Sequence, residues 1–231
     1  HPVAHSFPTR RSSDLLEIYW AVAKIGAVVV PMSTLLMKGA LRSLLNDSDA
    51  EVVISMSGFA DTLESLKPDL PQIPSDRYLL IDAKERKGFQ DYHALKKKAG
   101  DREPEGIVVE PGDPFNIMYS SGTTGMPKGI VHTHAIRIAY GTSFAAAYRM
   151  SPECVTMHAG AIVFNGAFVD LMPTVFQGGT YVLLSHFDPI DYIETIAREK
   201  VTHVMMVPAQ IVAVLNAPNF DPDRLSSLEM I

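Results

Sequence analysis

Apolar residues recur along this chain in two rhythms. Leu16, Tyr19, Trp20 and Ala23 fall at the spacing of one helix face, and Gly26 then leads into AVVVP, a β-branched run closed by Pro31. Met37, Leu41, Leu44 and Leu45 predict a second helix ending near Asn46 and Asp47, followed by the strand-like EVVIS and then by RYLLIDA, a further buried strand. After residues 84–112 the alternation resumes with FNIMYS, GIVHT, a helix over 134–150, CVTMH, a helix near 165–176, and GGTYVLL. Asp188 and Pro189 supply an N-cap and a first-turn proline for a helix carrying Ile190, Ile193 and Ala197. THVMMV predicts the next strand, and Pro208, Ile211, Val212 and Leu215 a last helix.

Strands separated by helices of this length predict an α/β fold, with parallel-sheet layers joined by right-handed crossovers and helices flanking both faces. Two stretches fall outside the alternation. Residues 84–112, with KKKAGDREPEG, are charged and turn-rich, which predicts a solvated linker and a boundary between two subdomains. The opening HPVAHSFPTRRSSDL lacks an initiating methionine, and 5–15 resembles the in-frame translation of a sequencing adapter. Residues 1–15 are therefore expected to be non-native, leaving 16–231 to carry the fold.

Charge and cysteine content narrow the function. A net charge of −6 gives no basic footprint of the kind phosphate-backbone binding needs, so nucleic acid is not expected as a partner. The single cysteine, Cys154, excludes an internal disulfide and reads as a small buried hydrophobe, which suits a reducing, cytoplasmic setting. No apolar run approaches the roughly 18–20 residues that span a bilayer.

The chemistry concentrates in NIMYSSGTTGMPKGIVHTH, residues 116–134. Ser120, Ser121, Thr123 and Thr124 bring hydroxyls, and Gly122 and Gly125 permit close backbone approach, so that successive N–H groups can converge on an anion. Pro127 keeps Met126 out of helical conformation, and Lys128 adds a mobile positive charge. Hydrogen bonds to a charged partner contribute about 1.5–3 kcal/mol each, so several donors together could hold a polyphosphate. The spacing is not G-x-x-x-x-G-K-[ST], because Lys128 precedes Gly129 and a strand rather than a helix, which disfavours a P-loop kinase or GTPase. His132 and His134 stand two apart with no carboxylate or cysteine beside them, so they are not read as metal ligands. Asp188 and Asp191 are read as helix-start residues rather than paired catalytic carboxylates.

The ordered string YSSGTTGMPKG closely resembles the signature loop of the adenylate-forming family, which includes acyl-CoA synthetases, aryl-CoA ligases, peptide-synthetase adenylation domains and luciferases. The likeness continues into AVAKIGAVVVPMSTLLMKGALRSLLNDSDAEVVIS upstream and FQGGTYVLL and VTHVMMVPAQ downstream, and it is strongest to fatty-acid and related acyl-CoA ligases. The resemblance implies a two-step ligase using ATP, Mg²⁺ and coenzyme A: a carboxylic acid is adenylated, then AMP is displaced by the thiol. It further implies that Ser120, Ser121, Gly122, Thr123, Thr124 and Gly125 hold the β- and γ-phosphates. Lys128 would act on the departing pyrophosphate, and Mg²⁺ would lie near Thr124. Phe164, Asn165 and Gly166 match the family's short acid-side motif, where an aromatic replaces the usual histidine and His158 lies upstream. A core aromatic is the alternative for Phe164.

The resemblance places 16–231 in the family's large N-terminal domain. The adenine and ribose motifs, the hinge and the C-terminal catalytic lysine are expected beyond Ile231, so this stretch alone is expected not to complete adenylation. Other readings stay open: a non-catalytic nucleotide- or acyl-binding module, or a luciferase-like or peptide-synthetase adenylation domain.

Overall fold

The computed structural model describes residues 3–6, 12–120 and 127–231, which fall into two compact units, 1–134 and 135–231. In the first unit seven strands form one sheet: β1 (Val3–Ser6), β2 (Val28–Pro31), β3 (Val52–Ser55), β4 (Tyr78–Leu80), β5 (Gln90–Asp91), β6 (Pro114–Ser120) and β7 (Lys128–Thr133). Their order is β5-β4-β3-β1-β2-β6-β7. The helices α1 (Ser12–Lys24), α2 (Lys38–Asp47), α3 (Ala60–Leu66) and α4 (Tyr92–Ala99) lie between successive strands along the chain.

All four residues of β2 are buried, as expected for an interior parallel strand covered on both faces. The main apolar cluster joins Val30 and Val53 of the sheet to Leu41, Leu44 and Leu45 of α2 and Leu63 and Leu66 of α3. Those helical positions recur at i, i+3 and i+4, which puts them on one stripe. Residues 3–6, set aside in the sequence reading, form β1 between β3 and β2, with Val3 opposite Val28 and Ala4 opposite Val52. The charged stretch 84–112 belongs to the first unit and contains β5 and α4, where Asp91 caps the helix by accepting from the Ala94 N–H at 3.1 Å.

The expectation of parallel pairing holds from β1 to β6 and stops at β7, which runs antiparallel to β6. The reason is length. Only residues 121–127 join the two strands, whereas a parallel crossover needs a dozen or more.

The second unit has a three-stranded parallel sheet, β10-β8-β9, made of β8 (Val155–Ala159), β9 (Thr180–Leu184) and β10 (His203–Val204). Its helices are α5 (His134–Ala147), which starts at the division between units, α6 (Gly166–Gln177), α7 (Pro189–Glu199) and α8 (Pro208–Leu215). Met157, Tyr192, Ile193, Ile196, Val201 and Val214 form its apolar cluster. As the sequence predicts, Asp188 caps α7, accepting from the N–H groups of Ile190 at 2.9 Å and Asp191 at 3.0 Å. Gly178, at φ +75°, ends α6 in the left-handed region that suits glycine. β10 is shorter than THVMMV predicts, because only His203 and Val204 find partners on β8 before the chain turns into α8. Among the described residues no helix is long and apolar enough to cross a membrane.

Candidate functional site

In the first unit the site is a hairpin. The antiparallel register sets Tyr119 opposite Gly129 and Ser120 opposite Lys128, so both ends of the Ser/Thr/Gly loop leave the sheet side by side. Ser120 and Lys128 are both exposed. Ser121, Gly122, Thr123, Thr124, Gly125 and Met126 lie outside the described residues, and with them the expected phosphate cradle and the expected Mg²⁺ contact at Thr124. Among the described residues no group of three or more His, Cys, Asp or Glu side chains could hold a metal ion.

The stem of the hairpin is tied down from below. Tyr119 donates its hydroxyl to Asp47 Oδ2 at 2.5 Å, a bond between β6 and the end of α2. Burial, reinforced by that carboxylate, pushes the Tyr119 hydroxyl well above the ordinary tyrosine range, so it stays a donor throughout the physiological range. Gly129 fits because a side chain there would press on Ile117 Cγ2 at 3.0 Å and on the Tyr119 ring at 3.3 Å. His134, at the foot of β7, packs edge-on against Phe115 at 5.2 Å. Burial lowers its pKa against the opposing pull of Asp113. A cavity of about 750 Å³ in the same unit is lined by Asp82, His93 and Lys97, and neither Ser120 nor Lys128 borders it.

In the second unit the three acid-side candidates open α6. Phe164 is 59% exposed among the described residues. Asn165 occupies the N-cap position yet makes no side-chain cap. Its Oδ1 instead accepts from Arg137 Nη1 at 3.0 Å, and its Nδ2 donates to the Tyr140 hydroxyl at 3.0 Å, so both ends of the amide face α5. The Arg137 guanidinium is buried to 1% exposure and stacks 4.1 Å from the Phe168 ring centroid. Gly166 is the first residue of α6, close against Met205.

One turn further, Asp170 is buried between β8 and β9. Tyr181 donates to its Oδ1 at 3.3 Å, and His158 Nδ1 stands 3.7 Å from its Oδ2. Burial raises the Asp170 pKa, with His158 and Tyr181 pulling the other way. The Thr174 hydroxyl donates to the Asp170 carbonyl at 2.6 Å and lies 2.8 Å from that of Thr156, closing a polar network inside the unit.

Sequence reasoning missed Asp47, Arg137, Tyr140, Asp170 and Met205. A signal existed for one of them. Arg137, Gly141 and Ala145 form the buried i, i+4, i+8 stripe of α5, and a charged residue on such a stripe points to a polar partner inside.

The family model described as AMP-binding enzyme matches residues 8–231. The chain is 31% identical to a feruloyl-CoA synthase of an Amycolatopsis species over 94% of its own length and 40% of that protein. It is 28% identical to an indoleacetate–CoA ligase of Aromatoleum aromaticum, over 95% of its length and 42% of that protein. It thus spans less than half the length of these curated relatives. Among solved structures, ATP-bound MatB from Rhodopseudomonas palustris superposes with a TM-score of 0.77 at 23% identity, covering 98% of this chain and 43% of that one. This likeness is one of fold.

Proposed function

We propose, for a chain that belongs to the AMP-binding enzyme family, that the protein it represents is an ATP-dependent acid–thiol ligase. In this reading a substrate carboxylate attacks the α-phosphate of ATP, giving an acyl adenylate and pyrophosphate. The coenzyme A thiol then displaces AMP to form the thioester. Residues 16–231 are read as part of the large N-terminal domain of such an enzyme. The names of the relatives, a feruloyl-CoA synthase and an indoleacetate–CoA ligase, favour a carboxylic acid substrate, and an aryl or fatty acid is the class we assign.

The observation that carries the reading is the pairing of Ser120 with Lys128 across the β6–β7 hairpin. A hydroxyl and an ammonium held at the two feet of one loop, with Ser121, Gly122, Thr123, Thr124 and Gly125 between them, suit a chain of phosphates. Lys128 contributes a point charge that offsets charge building on the departing pyrophosphate. Ser120 and the loop orient the leaving group. Displacement at phosphorus depends mainly on positioning and electrostatic stabilisation, which such a loop supplies without a covalent step of its own. Mg²⁺ at Thr124 would supply further charge neutralisation, and no step here is routed through it.

Calorimetric titration of this chain with MgATP tests the reading. Saturable binding is expected, weakened about tenfold or more in Lys128→Ala, the loss of one charge-assisted hydrogen bond. A folded chain with no heat of MgATP binding would overturn the assignment.

A further inference from the structure

We propose that Asp47, which belongs to α2 and to neither strand of the hairpin, is a positioning residue for nucleotide binding: by accepting from Tyr119 it keeps the outer ends of β6 and β7 in register. The inference deepens the reading of Ser120 and Lys128 as a phosphate site and rests on it.

The outer end of the hairpin is where β7 has least to hold it. β7 is the edge strand of its sheet, and Lys128, Gly129, Ile130 and Val131 are all exposed. Strand ends with so few buried contacts open at almost no free-energy cost. Tyr119 meets this end from inside. It stands opposite Gly129, one pair before Ser120 and Lys128, and its ring packs against the main apolar cluster. A Cβ built on Gly129 would lie 3.3 Å from the Tyr119 ring, so the ring rests close against the β7 backbone. Whatever fixes that ring steadies both ends of the ladder, and its hydroxyl is held by Asp47 Oδ2 at 2.5 Å.

Asp47 stands where α2 by itself would disfavour it. It is the last residue of that helix, whose last turn has no basic side chain, and a carboxylate there meets the negative end of the helix dipole. A residue that breaks a local preference is placed for a distant partner. The Tyr119 hydroxyl, 72 positions along the chain, is that partner. Asp49, at φ +50°, adds a second negative charge near the same hydroxyl without a hydrogen bond to it, which supplies a control.

A nucleotide that needs both ends of the ladder in register binds in proportion to the fraction of molecules that have them so. The net worth of one hydrogen bond corresponds to about fivefold to tenfold in that equilibrium.

The test sets affinity against stability. MgATP is titrated into this chain by calorimetry, and urea midpoints are read on the same variants. Asp47→Ala and Tyr119→Phe are each expected to weaken MgATP binding about fivefold or more. The double variant should bind no more weakly than either, since both remove the same bond. Asp47→Asn keeps an acceptor and should return affinity to within about twofold of the wild type. Asp49→Asn removes the neighbouring charge, leaves the bond, and should bind as the wild type does. Hydrogen exchange without nucleotide gives a second readout: amides of 128–133 should exchange faster in Asp47→Ala and not in Asp49→Asn. A lowered urea midpoint with MgATP affinity intact in Asp47→Ala, an equal loss of affinity in Asp49→Asn, or unchanged exchange at 128–133 overturns the positioning role alone. A folded wild-type chain that binds no MgATP overturns the phosphate-site reading and the positioning role with it.

Discussion

The two units of this chain put charge in different places. The first has exposed ion pairs, such as Arg42 with Asp69 at 3.2 Å and Arg77 with Glu51 at 2.9 Å, and a cluster around Leu45 and Leu63 built of aliphatic side chains and the Tyr78 ring. Among its described residues the buried carboxylate is Asp14, in the first turn of α1, and the buried imidazole is His132 on the edge strand. The second takes a guanidinium, a carboxylate and an imidazole inside: Arg137, Asp170 and His203. In the first unit stability follows from filled volume, and Ser120 and Lys128 end the two strands that flank the candidate loop. In the second it depends on polar partners finding one another, and one such pair, Arg137 with Asn165, ties the start of α6 to α5.

Breaking the comparison begins with volume. Leu63→Ala in the first unit and Ile193→Ala in the second each remove a fully buried side chain and should lower unfolding free energy by about 2–5 kcal/mol in urea titrations. Losses below about 1 kcal/mol would mean that these sites are not close-packed. Polar pairing comes next. Arg137→Met leaves the Asn165 carbonyl without its donor and should cost about 1–3 kcal/mol by the same measurement. Arg137→Lys should recover only part, since an ammonium lacks the planar fork. If Met is tolerated as well as Lys, the Arg137–Asn165 bond does not hold α6 in place. A smaller effect is expected at the α7 cap, where Asp188→Ala exposes two helix-start N–H groups and should lower stability by about 1 kcal/mol.

The finest test is pH, where the two units should respond with opposite sign. His134 has its folded pKa depressed by burial. Its contribution is complete above its unfolded value near 6.5 and is lost as pH falls below it, so His134→Gln should gain on the wild type under acidification. Asp170 has its folded pKa raised by burial. Its contribution is complete below about 3.8 and is lost as pH rises through the folded value, so Asp170→Asn should gain on the wild type as pH rises from about 3.8 to 8. Urea midpoints of each variant against wild type across that range read both signs, and parallel slopes would contradict the assignment of both shifts.

Much of the architecture was legible because it is periodic. The stripe of Leu41, Leu44 and Leu45, the run VVVP and the Asp188–Pro189 start each encode their element within a few residues. The direction of β7 could also be had from chain length, since seven residues cannot house a crossover, but a rhythm of strands and helices hides it. Of the site, Ser120 and Lys128 were legible as chemistry, and the register that sets them opposite each other was not, because it depends on pairing between strands. Asp47, Asp170 and Met205 act on residues 72, 11 and 39 positions away, on Tyr119, Tyr181 and Gly166, and no local pattern carries such separations. Phe164 shows the converse: an aromatic beside a helix start reads equally well as core or surface until its exposure is seen.

The hairpin carries a practical corollary for anyone wishing to re-engineer the loop. Because β6 and β7 pair as neighbours, residues added between Ser120 and Lys128 leave the strand register unchanged and add a closure entropy of about 0.6 kcal/mol for each doubling of length. A single residue inserted within β6 would instead turn every later side chain of that strand to the opposite face, sending Tyr119 away from Asp47. Libraries that vary length as well as composition can therefore be confined to the tip, with the flanking strands left untouched as a fixed mount.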